Sequence, residues 1–349
     1  MIHTLTGALG LSMYDAAFWM PLAMAALFFL VVVAGVVLDG FDIGVGCLLP
    51  FAPPGARARM LALLSPWRDA NEFWLLLGLG LLAAAFPHAW GPIMGALYLP
   101  LCLLAAGVLL RSACFELRLR APREWQPYWA HGFAAGSWLT AFSHGMILSR
   151  VVTAYETGFV YALLAVFFGF GALAGYALLG ASWLAMRQTG QLRLRAAMWA
   201  RRMVRWVAAA VVAASLILLL ANTGVFLKWG TFSNAWLVAA VWGLLLLCFI
   251  ALEMSLQRMV YQTPRIPSLP FMLVLLVFLI VLSGLAYSFF PYLVLDEVTI
   301  WDGAASVQSL QWVLSAAVVA LPVAIIFNVW VYWGMFGPSR PLEPPPYTG

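Results

Sequence analysis

Apolar residues run along this chain in long unbroken blocks. Nine can be marked, at roughly residues 16–38, 70–86, 91–110, 130–149, 158–186, 204–221, 235–252, 270–290 and 310–335. A block of about 20 apolar residues crosses a bilayer as one helix. A membrane barrel would instead show strands alternating between polar and apolar positions, because one face meets lipid and the other the lumen. The pattern therefore predicts an all-α membrane protein with nine transmembrane helices. The fifth block is longer than one span needs, which predicts tilt or an extension beyond the bilayer. The first is too long for the core of a cleavable signal peptide and reads as a retained helix.

Composition narrows the class. Of 349 residues, 65% are hydrophobic and 9% charged, against about 25% charged in an ordinary soluble domain. So few charges cannot cover a water-facing surface, which excludes soluble enzymes, secreted modules and nucleic-acid binders. The net charge of +5 is sorted along the chain. The loops after helices 1, 3, 5 and 7, with the C-terminal tail, carry 16 of the 18 basic residues, including Arg57, Arg59, Arg68, Arg111, Arg118, Arg195, Arg202 and Arg258. Only Arg150 and Lys228 fall on the other side. Lys and Arg collect on the cytoplasmic side of membrane proteins, so the N-terminus is expected outside and the C-terminus inside. The tail from Pro338 to Gly349 is proline-rich and reads as disordered.

A short motif recurs. Ala34-Gly35-x-x-Leu38-x-Gly40 returns as Ala174-Gly175-x-x-Leu178-x-Gly180, each copy late in an apolar block and ahead of an arginine-bearing stretch. As a duplication, it implies two similar bundles, helices 1–4 and 5–8, with helix 9 added. The domain reading is then a tail over 1–15, a first bundle over 16–149, a second over 150–290, a loop and helix 9 over 291–337, and a tail over 338–349.

Ionisable groups inside a membrane are costly and mark function by default. Asp39 and Asp42 stand at the end of the first block, in Leu38-Asp39-Gly40-Phe41-Asp42-Ile43-Gly44-Val45-Gly46. Three residues apart, they share a face if the helix continues. They read either as a carboxylate pair handling protons or a cation, or as a helix-ending loop. The second cluster is Trp67-Arg68-Asp69-Ala70-Asn71-Glu72 at the start of helix 2. Asp69 and Glu72 have the spacing of a capping box, and the same cluster could admit protons from the inner side. In helix 4, Ser137, Thr140 and His144 form one polar stripe, which would line a hydrated path or bond across helices. Glu253 falls near Arg258 at the inner end of helix 7. The four cysteines, Cys47, Cys102, Cys114 and Cys248, are scattered without a C-x-x-C pair, which argues against a zinc or iron–sulfur site. The four histidines, His3, His88, His131 and His144, show no facing pair that would hold a haem, so no cofactor is assigned to this chain.

The Leu38–Gly46 segment followed by Asp69-x-Asn71-x-x-Trp74 resembles subunit II of the cytochrome bd-type quinol oxidases. Phe86-Pro87, Tyr98-Leu99-Pro100, Arg111-x-x-x-Phe115-Glu116, Thr299-Ile300-Trp301-Asp302-Gly303-Ala304 and Tyr332-Trp333-x-Met335-Phe336-Gly337 extend the likeness along nearly the whole chain. The resemblance implies two four-helix bundles plus a peripheral helix in a bacterial inner membrane. It implies a homologous subunit I holding two b-type haems, one d-type haem and the quinol site. That complex oxidises quinol and reduces dioxygen to water. This chain would support it and supply cytoplasmic protons, with Asp69 first, then Asp39, Asp42 and His144 as the proton-transfer residues. A structural quinone here and a small accessory subunit are left open. Arg68 and Ala70 stand where the family pattern has Trp and Gly, and His144 where it often has Gln, which suits a divergent, cyanide-insensitive branch. Beside this reading stand a proton-coupled transporter using Asp39 and Asp42, and a purely structural scaffold.

The arginine sorting makes a direct prediction. A reporter enzyme active only outside the cytoplasm will be silent when fused at Gly349 and active when fused between Asn222 and Lys228; activity at Gly349 would refute the orientation.

Overall fold

The computed structural model describes residues 7, 10–12, 14–64, 68–262 and 266–336; most of the predicted 1–15 tail, Trp67, Arg265 and the whole 338–349 tail lie outside the described residues. Helices account for nearly all of it: α1 (Ala16–Leu48), α2 (Pro54–Ala62), α3 (Arg68–Ala85), α4 (Pro87–Ala96), α5 (Tyr98–Arg120), α6 (Gln126–Val152), α7 (Phe159–Arg187), α8 (Gly190–Ala221), α9 (Thr223–Gly230), α10 (Ala235–Tyr261), α11 (Leu269–Phe289), α12 (Ile300–Gly303) and α13 (Val307–Phe336). A two-stranded antiparallel ribbon, β1 (Tyr292–Val294) and β2 (Val298–Thr299), separates α11 from α12. Among the described residues, seven helices are long and apolar enough to cross a membrane. They are α1, α5, α7, α8, α10, α11 and α13. The predicted second and fourth spans correspond to α3, whose apolar part is only Asn71–Ala85, and α6, which carries the Ser137–His144 stripe.

Several helices run beyond their apolar blocks at the arginine-rich end. α1 continues through Asp39 and Asp42 to Leu48, so the helix-ending loop expected there is helix instead. α5 continues to Arg120 and α8 starts at Gly190, so Arg111, Arg118 and Arg195 are helical and not in loops. Arginine is a good helix former, and hydropathy stops counting where the helix does not. The predicted third span straddles a break at Leu97 between α4 and α5, and His88 is helical in α4.

α1 and α7 form the spine. α1 packs on α3, α6 and α7; α7 packs on α6, α8 and α11; α10 packs on α8 and α11. The two spine helices touch backbone to backbone. A Cβ built on Gly44 would overlap the Tyr176 carbonyl oxygen, and one built on Gly180 would overlap the Gly44 carbonyl carbon. Phe41 stacks on Trp183 beside this crossing, at 5.0 Å between centroids. Small residues let helices approach closely in lipid, where packing takes over from the hydrophobic effect.

The helix ends repeat. α3 and α8 end at Ala85 and Ala221, and α4 and α9 begin at Pro87 and Thr223; both pairs lie 136 residues apart. Gly44 and Gly180, which meet at the crossing, are separated by the same 136. The motif noticed in sequence repeats at 140, one helical turn out of this register.

The opposite ends of the helices are pinned by polar contacts. Lys228 on α9 donates to the carbonyls of Tyr287 (2.5 Å) and Phe290 (2.7 Å) at the end of α11, and burial pulls its ammonium below the usual lysine range. Thr299 and Asp302 make a capping box for α12. Trp301 donates to the Phe18 carbonyl at 3.0 Å and stacks on the Phe18 ring, tying this segment to the start of α1.

Filling the spine crossing will be costly. Gly180→Val will lower the thermal midpoint and the yield of folded protein, at about 1–3 kcal/mol for overpacking. Gly243→Val on α10, where nothing lies within 4 Å, serves as the control. Equal stability of the two variants would show that the crossing tolerates a side chain.

Candidate functional site: a buried carboxylate–guanidinium cluster

Polar residues of α1, α3 and α5 converge at the arginine-rich end of the helices. Gly107 and Gly136 bring α5 against α6: a Cβ on Gly136 would stand 2.6 Å from the Arg111 backbone nitrogen. This close contact fixes Arg111, which is fully buried. Its Nη2 donates to Asp39 Oδ1 on α1 and to Glu72 Oε1 on α3, the latter at 2.9 Å. Ser112 Oγ bonds Glu72 Oε1 at 2.9 Å and Oε2 at 2.8 Å. One turn along α1, Asp42 is fully buried and accepts from Asn71 Nδ2 at 2.7 Å. Asp42 Oδ1, Arg111 Nε and Arg111 Nη1 are buried without a hydrogen-bond partner.

Charge counting gives the cluster its chemistry. Asp39, Asp42 and Glu72 are three carboxyls around one guanidinium. Fully ionised, Asp39 and Asp42 alone would outnumber the charge of Arg111 in an apolar interior, which is expensive. A proton held among the carboxyls brings the cluster nearer neutrality, and Asp42 Oδ1 is an open position for one. The arrangement can store and pass a proton. Among the described residues no group of three or more His, Cys, Asp or Glu could hold a metal ion.

The sequence candidates divide. Asp39 and Asp42 are brought together, and Asn71 and Glu72 join them. Asp69 lies in the first turn of α3, three residues from Glu72, and its side chain lies outside the described residues. His144 is half-buried on α6; its ring lies 5.6 Å from that of Tyr176 on α7, and its Nδ1 has no partner. The stripe below it does not bond across helices. Ser137, Thr140 and Ser143 donate to their own helix, to Phe133, Gly136 and Leu139 carbonyls at 2.7–2.9 Å. Glu253 meets Arg201 on α8 at 2.6 Å, rather than the expected Arg258. Three participants escaped the sequence reading as site residues: Ser112, Arg111 and Tyr176. Arg111 had been grouped with loop arginines. Tyr176, whose ring packs on Gly40 and lies within electrostatic reach of Asp39 and Arg111, looked like any aromatic in an apolar helix. Its signal was Gly40, whose missing side chain makes room for the ring.

A cavity of about 710 Å³ opens among α1, α3 and α13. Among the described residues its lining includes Leu27, Val31, Trp74, Leu321 and Asn328 and is almost wholly apolar.

The fold and the cluster define a multi-pass helical membrane protein with a buried ionic site. A sequence profile of the family described as cytochrome bd terminal oxidase subunit II matches residues 20–335, and the chain belongs to that family. It is 26% identical to cytochrome bd-I ubiquinol oxidase subunit 2 of Escherichia coli (strain K12), over 86% of this chain and 90% of that one. It is likewise 26% identical to a probable cytochrome oxidase subunit 2 of Haemophilus influenzae, with the same shares. Among solved structures, the bd oxidase of Geobacillus thermodenitrificans matches with a TM-score of 0.73 at 14% identity, covering 91% of this chain and 99% of that one. That likeness shows the fold.

Removing Arg111 will expose what it balances. Arg111→Leu will cost about 3–5 kcal/mol, the usual penalty for stranding a buried charge, read as a fall in thermal midpoint. Adding Asp39→Asn will recover part of the loss. If the double variant is no more stable than the single, the two residues are not energetically coupled.

Proposed function

We propose that this chain is the subunit of a bd-type quinol:dioxygen oxidoreductase that supports a haem-bearing subunit I and feeds it protons from the cytoplasm. The observation that carries the reading is the pair of buried carboxyls, Asp39 and Asp42, set beside the single guanidinium of Arg111, with the half-buried Glu72 at its edge. A merely structural ion pair needs one carboxylate for one guanidinium. The surplus here gives titratable sites inside a membrane, and reduction of dioxygen to water consumes protons. The redox chemistry lies with the haems of the partner, two b-type and one d-type, and the chain works in a bacterial inner membrane.

In this reading nine helices span the bilayer as two four-helix bundles plus α13, with the N-terminus periplasmic and the C-terminus cytoplasmic. Asp69 stands at the cytoplasmic start of α3. Its spacing from Glu72 puts the two on neighbouring positions of one helix face. A proton taken up at Asp69 passes to Glu72 and Asp39 around Arg111, with Asp42 as a second holding site. His144, deeper in the membrane and half-buried on the surface of this chain, is the point nearest a partner. Arg111 keeps the average charge of the cluster low, so that protons neither leave it too readily nor remain trapped.

Asp69→Asn removes the titrating carboxyl while keeping the size and hydrogen-bonding capacity of the side chain. The complex will assemble with normal haem content, while quinol oxidase turnover falls about tenfold or more, equivalent to about 1.4 kcal/mol in the limiting barrier. Full oxygen consumption by Asp69→Asn would remove Asp69 from the route. Unchanged turnover in Asp39→Asn with Asp42→Asn as well would remove the buried aspartates from it.

A further inference from the structure

α8 is longer than a membrane requires. Its 32 residues extend about 48 Å at 1.5 Å per residue, against about 30 Å of hydrocarbon. The excess is at the N-terminal end, where Arg193, Arg195, Arg201, Arg202 and Arg205 cluster and no acidic residue occurs on the helix. One face of this stretch, with Leu192, Ala196, Ala197, Ala200 and Val204, is buried against the protein. The other faces outward and forms a groove of about 400 Å³. Gln191, Arg195 and Arg202 line it together with Met198 and Trp199.

The arginines of this stretch do not all do the same work. Arg201 is committed to Glu253, and Arg193 donates to the Gln188 carbonyl at 2.6 Å. Arg195 and Arg202 are exposed, and among the described residues no acidic side chain meets either one. They stand two turns apart on one face, with Gln191 one turn before Arg195. Trp206 follows Arg202 by one turn toward the apolar part of the helix and is 67% exposed. The order along the face is therefore amide, guanidinium, thioether and indole, guanidinium, exposed indole, then hydrocarbon.

We propose that this groove binds the headgroup of an anionic phospholipid of the inner leaflet. Guanidinium groups match phosphate oxygens with paired N–H donors. Basic pockets at the cytoplasmic membrane surface select anionic headgroups. Met198 and Trp206 carry the acyl chains away from the phosphate, since indoles settle at the boundary between headgroup and hydrocarbon. The site is separate from the α1–α3–α5 cluster and does not depend on the proton route.

The test uses the protein with its copurifying chains, delipidated in zwitterionic detergent and titrated by native mass spectrometry with short-chain phosphatidylglycerol, phosphatidylcholine or inorganic phosphate. Phosphatidylglycerol will bind preferentially, and Arg195→Gln with Arg202→Gln will weaken it at least about tenfold, a factor worth about 1.4 kcal/mol. The pair Arg195→Lys and Arg202→Lys will recover most of the binding, and Arg59→Gln on α2 will leave it unchanged. Thermal midpoints confirm that each variant is folded. The proposal is overturned by equal binding of phosphatidylcholine, by inorganic phosphate binding as tightly as the lipid, or by undiminished binding in the glutamine pair. It is overturned equally if that pair instead sheds a copurifying protein, which would make the groove a protein interface.

Discussion

One guanidinium holds α1, α3 and α5 together at the arginine-rich end. Arg111 reaches from α5 to Asp39 on α1 and Glu72 on α3, so three helices that share mainly apolar contacts are tied at one point. In water such contacts would be worth little. In a dry interior, neither partner can be withdrawn without stranding a charge, and the helices must keep their spacing. The glycines follow from this demand. Gly107 and Gly136 let α5 lie against α6, while Gly44 and Gly180 let α1 lie against α7. A bulkier residue at any of them would move a helix that carries part of the cluster.

The sequence made the architecture legible and the connectivity of the site only partly so. Hydropathy located every long helix, because an apolar block has no alternative in lipid. It misplaced ends wherever a helix ran on through arginines, as α5 and α8 do. Asp39 and Asp42 stood out as charges in apolar surroundings. Whether they lay in a helix or a loop depended on α7 packing across Gly44, a contact between residues 136 positions apart. Arg111 could not be told from its neighbours Arg118 and Arg120, since all three sit late in the same segment. Burial separates them, and burial is set by residues 72 and 39 positions earlier in the chain. The Ser137–Thr140–His144 stripe was a true periodicity with a different meaning: its hydroxyls satisfy themselves on their own helix.

Family membership and geometry agree on the segments that matter. The Asp39–Gly46 stretch and the Asn71–Trp74 stretch, which carried the resemblance, supply most of the cluster. The Thr299–Ala304 stretch supplies the clasp through Trp301 onto α1. These pieces are far apart in the chain and each is short. Each fixes a position where the helices would otherwise slide on apolar surfaces.

The spacing of 136 residues between matching helix ends has a consequence for how work is shared within one chain. Carried across that interval, Asp39 corresponds to Gly175, Asp42 to Leu178, Asn71 to Val207 and Glu72 to Ala208. Arg111 falls on Leu247, beside Cys248. The second half thus repeats the scaffold with every charged member of the cluster replaced by a small or apolar one. A polypeptide that holds its own frame twice can lose ionic groups from one copy without losing the support they require. The ionic cluster described here lies in one half, and the seam between the halves is a pair of glycines.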